Sequence, residues 1–219
     1  ASITAIVMDP KTGEILAMAS RPSYNPNRFW EYPQENWKNR AVSFIYEPGS
    51  TFKAVVAGAA LQEGIVTPNQ VFFDPGYVMV SGRRIQNWSN ESYGAVTFTD
   101  IVKKSLNTGF AQVGLSLGAE KMMHYTRVFG FGEKTGIDLP GERRGMIPNA
   151  AYYDKAYKRS WNALTVISIG IGQGEVTATP LQIANLAATV ANRGHYFVPH
   201  VARSIQGERL DTTYTRPHR

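Results

Sequence analysis

The chain has 219 residues, of which 43% are hydrophobic, with a net charge of +6 and no cysteine. That length supports one large domain rather than several, and the absence of cysteine excludes disulfides, thiolate metal sites and cysteine nucleophiles. The 23 basic residues are scattered, which reads as a solvated basic surface with some attraction to polyanions, and no apolar run approaches the roughly 20 residues that cross a bilayer.

In chain order, the apolar runs Ile3 to Met8 and Glu14 to Met18 flank Asp9-Pro10-Lys11-Thr12-Gly13, which predicts a β-hairpin. Because the chain starts at Ala1-Ser2-Ile3, already inside a strand pattern and without an initiator Met, it reads as a fragment with any membrane anchor upstream. From Ser20 to Arg40 the composition turns to Pro, Asn and aromatics, including Pro22, Tyr24, Pro26, Phe29, Trp30 and Trp37. This predicts a long irregular connection packed on the surface, with ordinary packing favoured over sugar binding for its rings.

Glu47-Pro48-Gly49-Ser50-Thr51-Phe52-Lys53 stands at the start of a helical pattern carried by Phe52, Val55, Val56, Ala59 and Ala60 and closed by Gly64. Ser50 and Lys53, three apart, share a helix face, so the amine can reach the hydroxyl. A serine here is also an ordinary N-cap. Lys53 is what points further: a lysine on an apolar helix near its N-terminus must be desolvated, which lowers its pKa toward that of a useful base, and a serine beside such a base is an activated nucleophile.

The region from Val66 to Val80 alternates short apolar runs with turn signals, and Ser81-Gly82 predicts a small hairpin into Arg84 to Trp88. Thr97 and Thr99 compete to cap a helix with Asp100 in its first turn, running to Ser105-Leu106-Asn107 and interrupted at Thr108-Gly109. Ser105 and Asn107 can aim polar groups into one cleft, although for the triplet taken alone a capping serine and a turn asparagine is the favoured reading. Phe110 to Leu117 and Ala119 to Phe129 read as helices, with Met122, Tyr125 and Phe129 as core. The loop Gly130 to Glu142 lacks the glycine a phosphate-binding P-loop needs before Lys-Thr. Gly170-Ile171-Gly172-Gln173-Gly174, after a strand-like run, lacks the third glycine of a dinucleotide site. Thr179-Pro180-Leu181-Gln182 opens a helix with Ile183, Leu186, Ala187 and Val190 apolar, stopped by Asn192-Arg193-Gly194. Tyr196 to Ile205 reads as extended, Gln206-Gly207-Glu208 as a turn, and Asp211 to Arg219 as a polar tail.

Ser50 through Lys53 followed by Ser105-Leu106-Asn107 resembles the SxxK and SxN motifs of the penicillin-recognising serine acyltransferases. Around them the chain resembles class B penicillin-binding proteins. The resemblance is carried by Met8 to Met18, Asn39-Arg40-Ala41-Val42, Glu47 through Lys53, Phe129 through Glu142, and Gly172-Gln173-Gly174 with Thr177 to Gln182. The flanking segments lean toward the division or sporulation branch. It implies an α+β fold, an α/β sandwich of helices around an antiparallel sheet like that of the serine β-lactamases. It also implies an incomplete transpeptidase domain over residues 1–219, with the N-terminal anchor and pedestal outside the chain.

The family's third motif, KTG on a late strand, is not matched by Lys134-Thr135-Gly136, which falls in the family's separate glycine-rich loop. The chain is therefore read as stopping before that motif and its C-terminal strands. The resemblance implies a peptidoglycan D,D-transpeptidase on the extracytoplasmic face of the bacterial membrane, needing no cofactor or metal, with Ser50, Lys53, Ser105 and Asn107 as catalytic residues. Its partners would be the D-Ala-D-Ala stem peptide, β-lactam antibiotics and a membrane glycosyltransferase reached through regions outside this chain, with no nucleic acid. With one oxyanion donor expected on the missing strand, these 219 residues alone are expected to acylate poorly. The alternatives are a β-lactam sensor, which would bind drug stoichiometrically, and a serine β-lactamase, for which no deacylating glutamate is identifiable.

Overall fold

The computed structural model describes residues 2–88, 90–158 and 161–205, with the backbone of 208–209. Strands β1 (Ile3–Met8) and β2 (Ile15–Arg21) form the expected hairpin, antiparallel with Ile6 opposite Met18 and a register shift at Val7/Met8. The connection that follows is more regular than expected. It holds two short 3-10 helices, Pro26–Glu31 and Gln34–Trp37, the first capped by Asn25 and the second tied back where the Trp37 indole donates to Phe29 O at 3.0 Å. A single turn, α1 (Arg40–Ser43), is capped by Asn39, and the 3-10 turn Gly49–Phe52 runs directly into α2 (Lys53–Gln62).

Next come β3 (Val71–Asp74), β4 (Tyr77–Val80), β5 (Arg83–Gln86) and β6 (Gly94–Thr97). The β4–β5 hairpin turns at Ser81-Gly82, both at positive φ (49° and 77°), as a two-residue turn between twisted strands requires. The pairing of β3 with β6 had no signal in the sequence, because it joins four-residue strands across the intervening hairpin.

Of the two rival caps, Thr97 starts α3 (Phe98–Lys104), in a capping box with Asp100, while the Thr99 hydroxyl donates to Pro68 O. The break between helices falls at Ser105, in the left-handed region at φ 55°, and not at Thr108-Gly109 as expected. Helix α4 (Asn107–Leu117) takes both of those residues inside. Gly109 is there for close approach: a Cβ would stand 2.6 Å from the Ile101 side chain.

Helices α5 (Ala119–Val128), α6 (Ala150–Tyr157), α7 (Ala163–Gly170) and α8 (Pro180–Ala191) complete the helical set. Helix α7 replaces the strand-like run. A short, continuously apolar segment has no decisive period, and the Asn162 side chain, accepting the Thr165 N–H at 2.9 Å, tips it to helix. The pair β7 (Ser204–Ile205) and β8 (Glu208–Arg209) ends the described chain. The expected turn at Gln206-Gly207 and the polar tail lie outside the described residues.

The chain divides into two compact units. One comprises residues 1–46, 128–145 and 178–219. Its core is Ile15, Ala41, Val42, Ile137 and Leu181, with Ile6, Met8, Met18 and Leu139 packed against it. Helix α8 buries Leu181 and Leu186 beside Gln182, Asn185 and Thr189, while Val190, apolar as it is, is exposed. The reason is polar: Gln182 Nε2 donates to Glu133 O at 2.9 Å and Arg144 O at 3.0 Å, so the glutamine must face inward. That bond also anchors the glycine-rich loop, in which Thr135 and Gly136 donate their N–H groups to the Glu142 carboxylate. Lys134-Thr135-Gly136 is thus a loop held by Glu142 and not a strand. A further Lys-Thr-Gly, Lys11-Thr12-Gly13, lies in the turn between β1 and β2.

The other unit comprises residues 47–127 and 146–177. Helix α4 packs against both α2 and α7, around the fully buried Phe52, Val55, Phe98, Ile101, Phe110, Met122, Ile167 and Ile169. Of the expected core stripe on the helix after Gly118, Met122 is buried, whereas Tyr125 is half-buried and its phenol donates to Glu63 at 2.7 Å. Phe129, past the end of α5, is also half-buried.

Candidate active site

The second unit holds all four residues singled out from the sequence. Gly49 donates its N–H to Gly172 O at 2.8 Å, docking the turn that carries Ser50 against the segment after α7. The approach is so close that a Cβ on Gly172, itself at φ +74°, would stand 2.1 Å from Gly49 O. Ser50 is not the N-cap of α2. It lies inside the preceding 3-10 turn, with an exposed side chain.

Lys53, one turn further on, is only 3% exposed. Its Nζ donates to Ser105 O at 2.8 Å, to Ser105 Oγ at 2.9 Å and to Asn107 Oδ1 at 2.6 Å, and lies 5.2 Å from the Phe110 ring centroid. Those three acceptors match the three hydrogens of an ammonium, and among the described residues no carboxylate pairs with it. Burial pushes the Lys53 pKa down to about 8, so a sizeable neutral fraction exists near physiological pH. A neutral amine has a lone pair, which turns the Ser105 contact into one along which a proton can move from Oγ to Nζ.

Sequence spacing predicted that the lysine reaches Ser50. In the fold, the hydrogen-bond partners of Nζ are Ser105 and Asn107. Ser50 shares with them one cavity of about 550 Å³, also lined by Trp88, Tyr93 and Gln173. The left-handed conformation of Ser105 makes this arrangement, because it turns the chain so that the serine's carbonyl and hydroxyl both face the lysine. Asn107 then opens α4, its Oδ1 toward Lys53 and its Nδ2 donating to Gln86 O at 2.9 Å.

Residues behind this wall were missed. Asp74, read as part of a turn signal, is 1% exposed and is joined to Asn87 and Thr108, at 3% and 0%. Nothing local distinguishes a buried Asp-Pro-Gly from a surface one. The exposed Trp88, at 98%, stands at the cavity rim, and Lys104 Nζ lies 4.3 Å from the Tyr93 ring centroid. No cluster of His, Asp or Glu suited to a metal occurs among the described residues.

A serine, a buried lysine of lowered pKa and a Ser-x-Asn turn thus stand together in one unit, Ser50, Ser105 and Asn107 lining one cavity. Residues 3–219 match the family model of the penicillin binding protein transpeptidase domain, and the chain belongs to that family. It is 38% identical to the peptidoglycan D,D-transpeptidase MrdA of Acinetobacter baumannii, over 97% of this chain and 34% of that protein. It is 36% identical to the stage V sporulation protein D of Bacillus subtilis, over 91% of this chain and 30% of that protein. Among solved structures it is similar to Pseudomonas aeruginosa PBP2 in complex with WCK 5153. That likeness has a TM-score of 0.87 at 34% identity and covers 95% of this chain and 50% of the other. The chain therefore spans about a third of the length of these curated relatives. The leaning toward the sporulation branch finds one relative there, at 36% identity over 91% of this chain, while MrdA stands at 38% over 97%, so identity does not favour that branch.

Proposed function

We propose that the protein is a peptidoglycan D,D-transpeptidase acting through an acyl-enzyme on Ser50. The observation that carries the proposal is the contact of buried Lys53 with Ser105 and Asn107 in the cavity that Ser50 lines. Neutral Lys53 takes the Ser50 proton as the hydroxyl oxygen attacks the carbonyl between two D-alanines of a stem peptide. The Ser50–carbonyl bond forms, and the peptide C–N bond then breaks. The proton passes from Lys53 through Ser105 to the departing D-alanine amine, along the 2.9 Å contact between them. Asn107 Nδ2 and the cavity wall hold the acyl side of the donor, and the Ser50 N–H, in the first helical turn, faces the developing oxyanion. An amine of a second stem peptide resolves the acyl-enzyme into a cross-link. β-Lactams acylate Ser50 by the same attack.

Residues 1–219 form part of a transpeptidase domain at the extracytoplasmic face of the bacterial membrane, working beside a glycosyltransferase that supplies glycan strands. Among the described residues no helix is long and apolar enough to cross a membrane. The test is labelling by a fluorescent penicillin followed by mass spectrometry of the labelled peptide. Attachment at Ser50 that persists for many minutes supports the transpeptidase. Rapid steady turnover of the drug supports a β-lactamase, and labelling elsewhere overturns both assignments.

A further inference from the structure

Asp74 is a buried carboxylate at the end of β3 that the reaction above does not use. Its two oxygens accept four donors. Oδ1 takes the Gly76 N–H at 2.9 Å and the Thr108 hydroxyl at 2.7 Å, Oδ2 takes the Tyr93 N–H at 3.1 Å, and Asn87 Nδ2 bridges both at 3.0 Å. Those donors come from four places: the turn after β3, the residue after β5, the residue before β6 and the first turn of α4. Asn87 extends the knot, since its Nδ2 also donates to Glu91 O at 3.1 Å and its Oδ1 accepts the Thr108 N–H at 3.3 Å.

Each end of this network abuts the cavity. Thr108 follows Asn107 in the chain, and Gln86, whose carbonyl holds the Asn107 amide, precedes Asn87. A buried charge satisfied only by neutral donors is an inefficient way to stabilise a fold, because well-packed apolar residues would do as well or better. What a carboxylate adds is direction, as its lone pairs fix several donors at defined angles. Burial pushes the Asp74 pKa up, but the bonds from Thr108, Gly76, Tyr93 and Asn87 outweigh it and hold the group below the usual value, so it stays an acceptor.

We infer that Asp74 is the positioning residue of the Ser105–Asn107 wall: through Thr108 and Asn87 it fixes both neighbours of the Asn107 side chain and so aims Asn107 at Lys53. This rests on the acyltransferase reading for its catalytic consequence but not for its geometry. The variants are Thr108→Val, which deletes one donor, Thr108→Ser, which keeps it, and Asp74→Asn, made in the whole chain. Two readouts are taken: the Asn107 side-chain amide signals by nitrogen-resolved NMR, and the rate of Ser50 labelling by a fluorescent penicillin scaled to the folded fraction.

In Thr108→Val the Asn107 signals shift and labelling slows by about 10- to 100-fold, the range expected for misplacing a reacting geometry by an ångström or less. Asp74→Asn does at least as much, and Thr108→Ser restores both. Unmoved Asn107 signals in folded Thr108→Val, or unchanged labelling beside a lowered melting temperature, overturn the inference. If the unsubstituted chain takes up penicillin too slowly to rank the variants, in line with the poor acylation expected of these 219 residues, the Asn107 amide signals alone decide on Asp74; label attached elsewhere than at Ser50 sinks the transpeptidase reading and leaves that decision standing.

Discussion

Lys53 Nζ lies 2.6 Å from Asn107 Oδ1, joining residues 54 positions apart in the chain. Asn107 also lines the cavity that the exposed Ser50 lines, while Lys53 lies buried behind it. The consequences for titration follow from the same contact. With a pKa of about 8, Lys53 becomes a competent base as pH rises. The rate of Ser50 labelling by a penicillin should climb from about pH 6 through pH 8 and level off above about pH 9. A rate falling over that range would require charged Lys53 in the productive state.

The same shift bears on stability. Folded Lys53 releases its proton near pH 8, whereas in the unfolded chain it holds it to about 10.5. Between those values the unfolded state binds more protons, so this group makes stability rise with pH, by roughly 3 kcal/mol over the whole window. Tyr196 acts oppositely at the upper end, because burial raises its pKa to about 12. The Lys53 contribution is therefore read as the difference in pH slope between the unsubstituted chain and Lys53→Met in urea unfolding, with the variant lacking the rise.

Ser50→Ala should abolish covalent labelling, seen as loss of the acyl mass increment in the intact protein. The side chain is exposed and its turn is held by backbone bonds. The melting temperature should therefore move little, within the about 0.5 kcal/mol typical of surface substitutions.

Gly172→Ala tests the docking of the Ser50 turn. The new Cβ would meet Gly49 O at 2.1 Å from a positive φ, so the two segments must separate. A loss of about 2–4 kcal/mol is expected in urea unfolding, with slower labelling of the fraction that remains folded.

Thr97→Ala should destabilise by about 1 kcal/mol, since it removes the side-chain half of the capping box at α3. The Thr99 hydroxyl meets only Pro68 O at an exposed position, so Thr99→Ala should cost less. Equal losses for the two would mean that the capping box is not what starts the helix.

How much of this could be read beforehand depended on the range of the interactions. The hairpin at Asp9 to Gly13, the helix after Ser50, the hairpin at Ser81-Gly82 and the Thr179–Gln182 capping box were all legible, because each is decided by hydrogen bonds and dihedral preferences within a few residues. The order of the motifs also singled out Ser50, Lys53, Ser105 and Asn107, which the fold gathers in one unit. The short apolar run before Gly170 was misread, since burial on all sides erases the period that separates strand from helix. Val190 belongs to the apolar pattern of its helix yet is exposed, while Gln182 and Asn185 take the buried face, where they make long-range polar contacts.

The amino-acid sequence by itself determined that a serine starts a small-residue helix with a lysine one turn on, and that a Ser-x-Asn break follows some fifty residues later. Only the tertiary structure decided what those residues do to one another. It bonded Lys53 to Ser105 and Asn107 and lowered the lysine's pKa by burial. It also closed Asp74, Asn87 and Thr108 into a knot behind them. Desolvation and hydrogen bonds between distant segments exist only once the chain has folded, so no local pattern carries them.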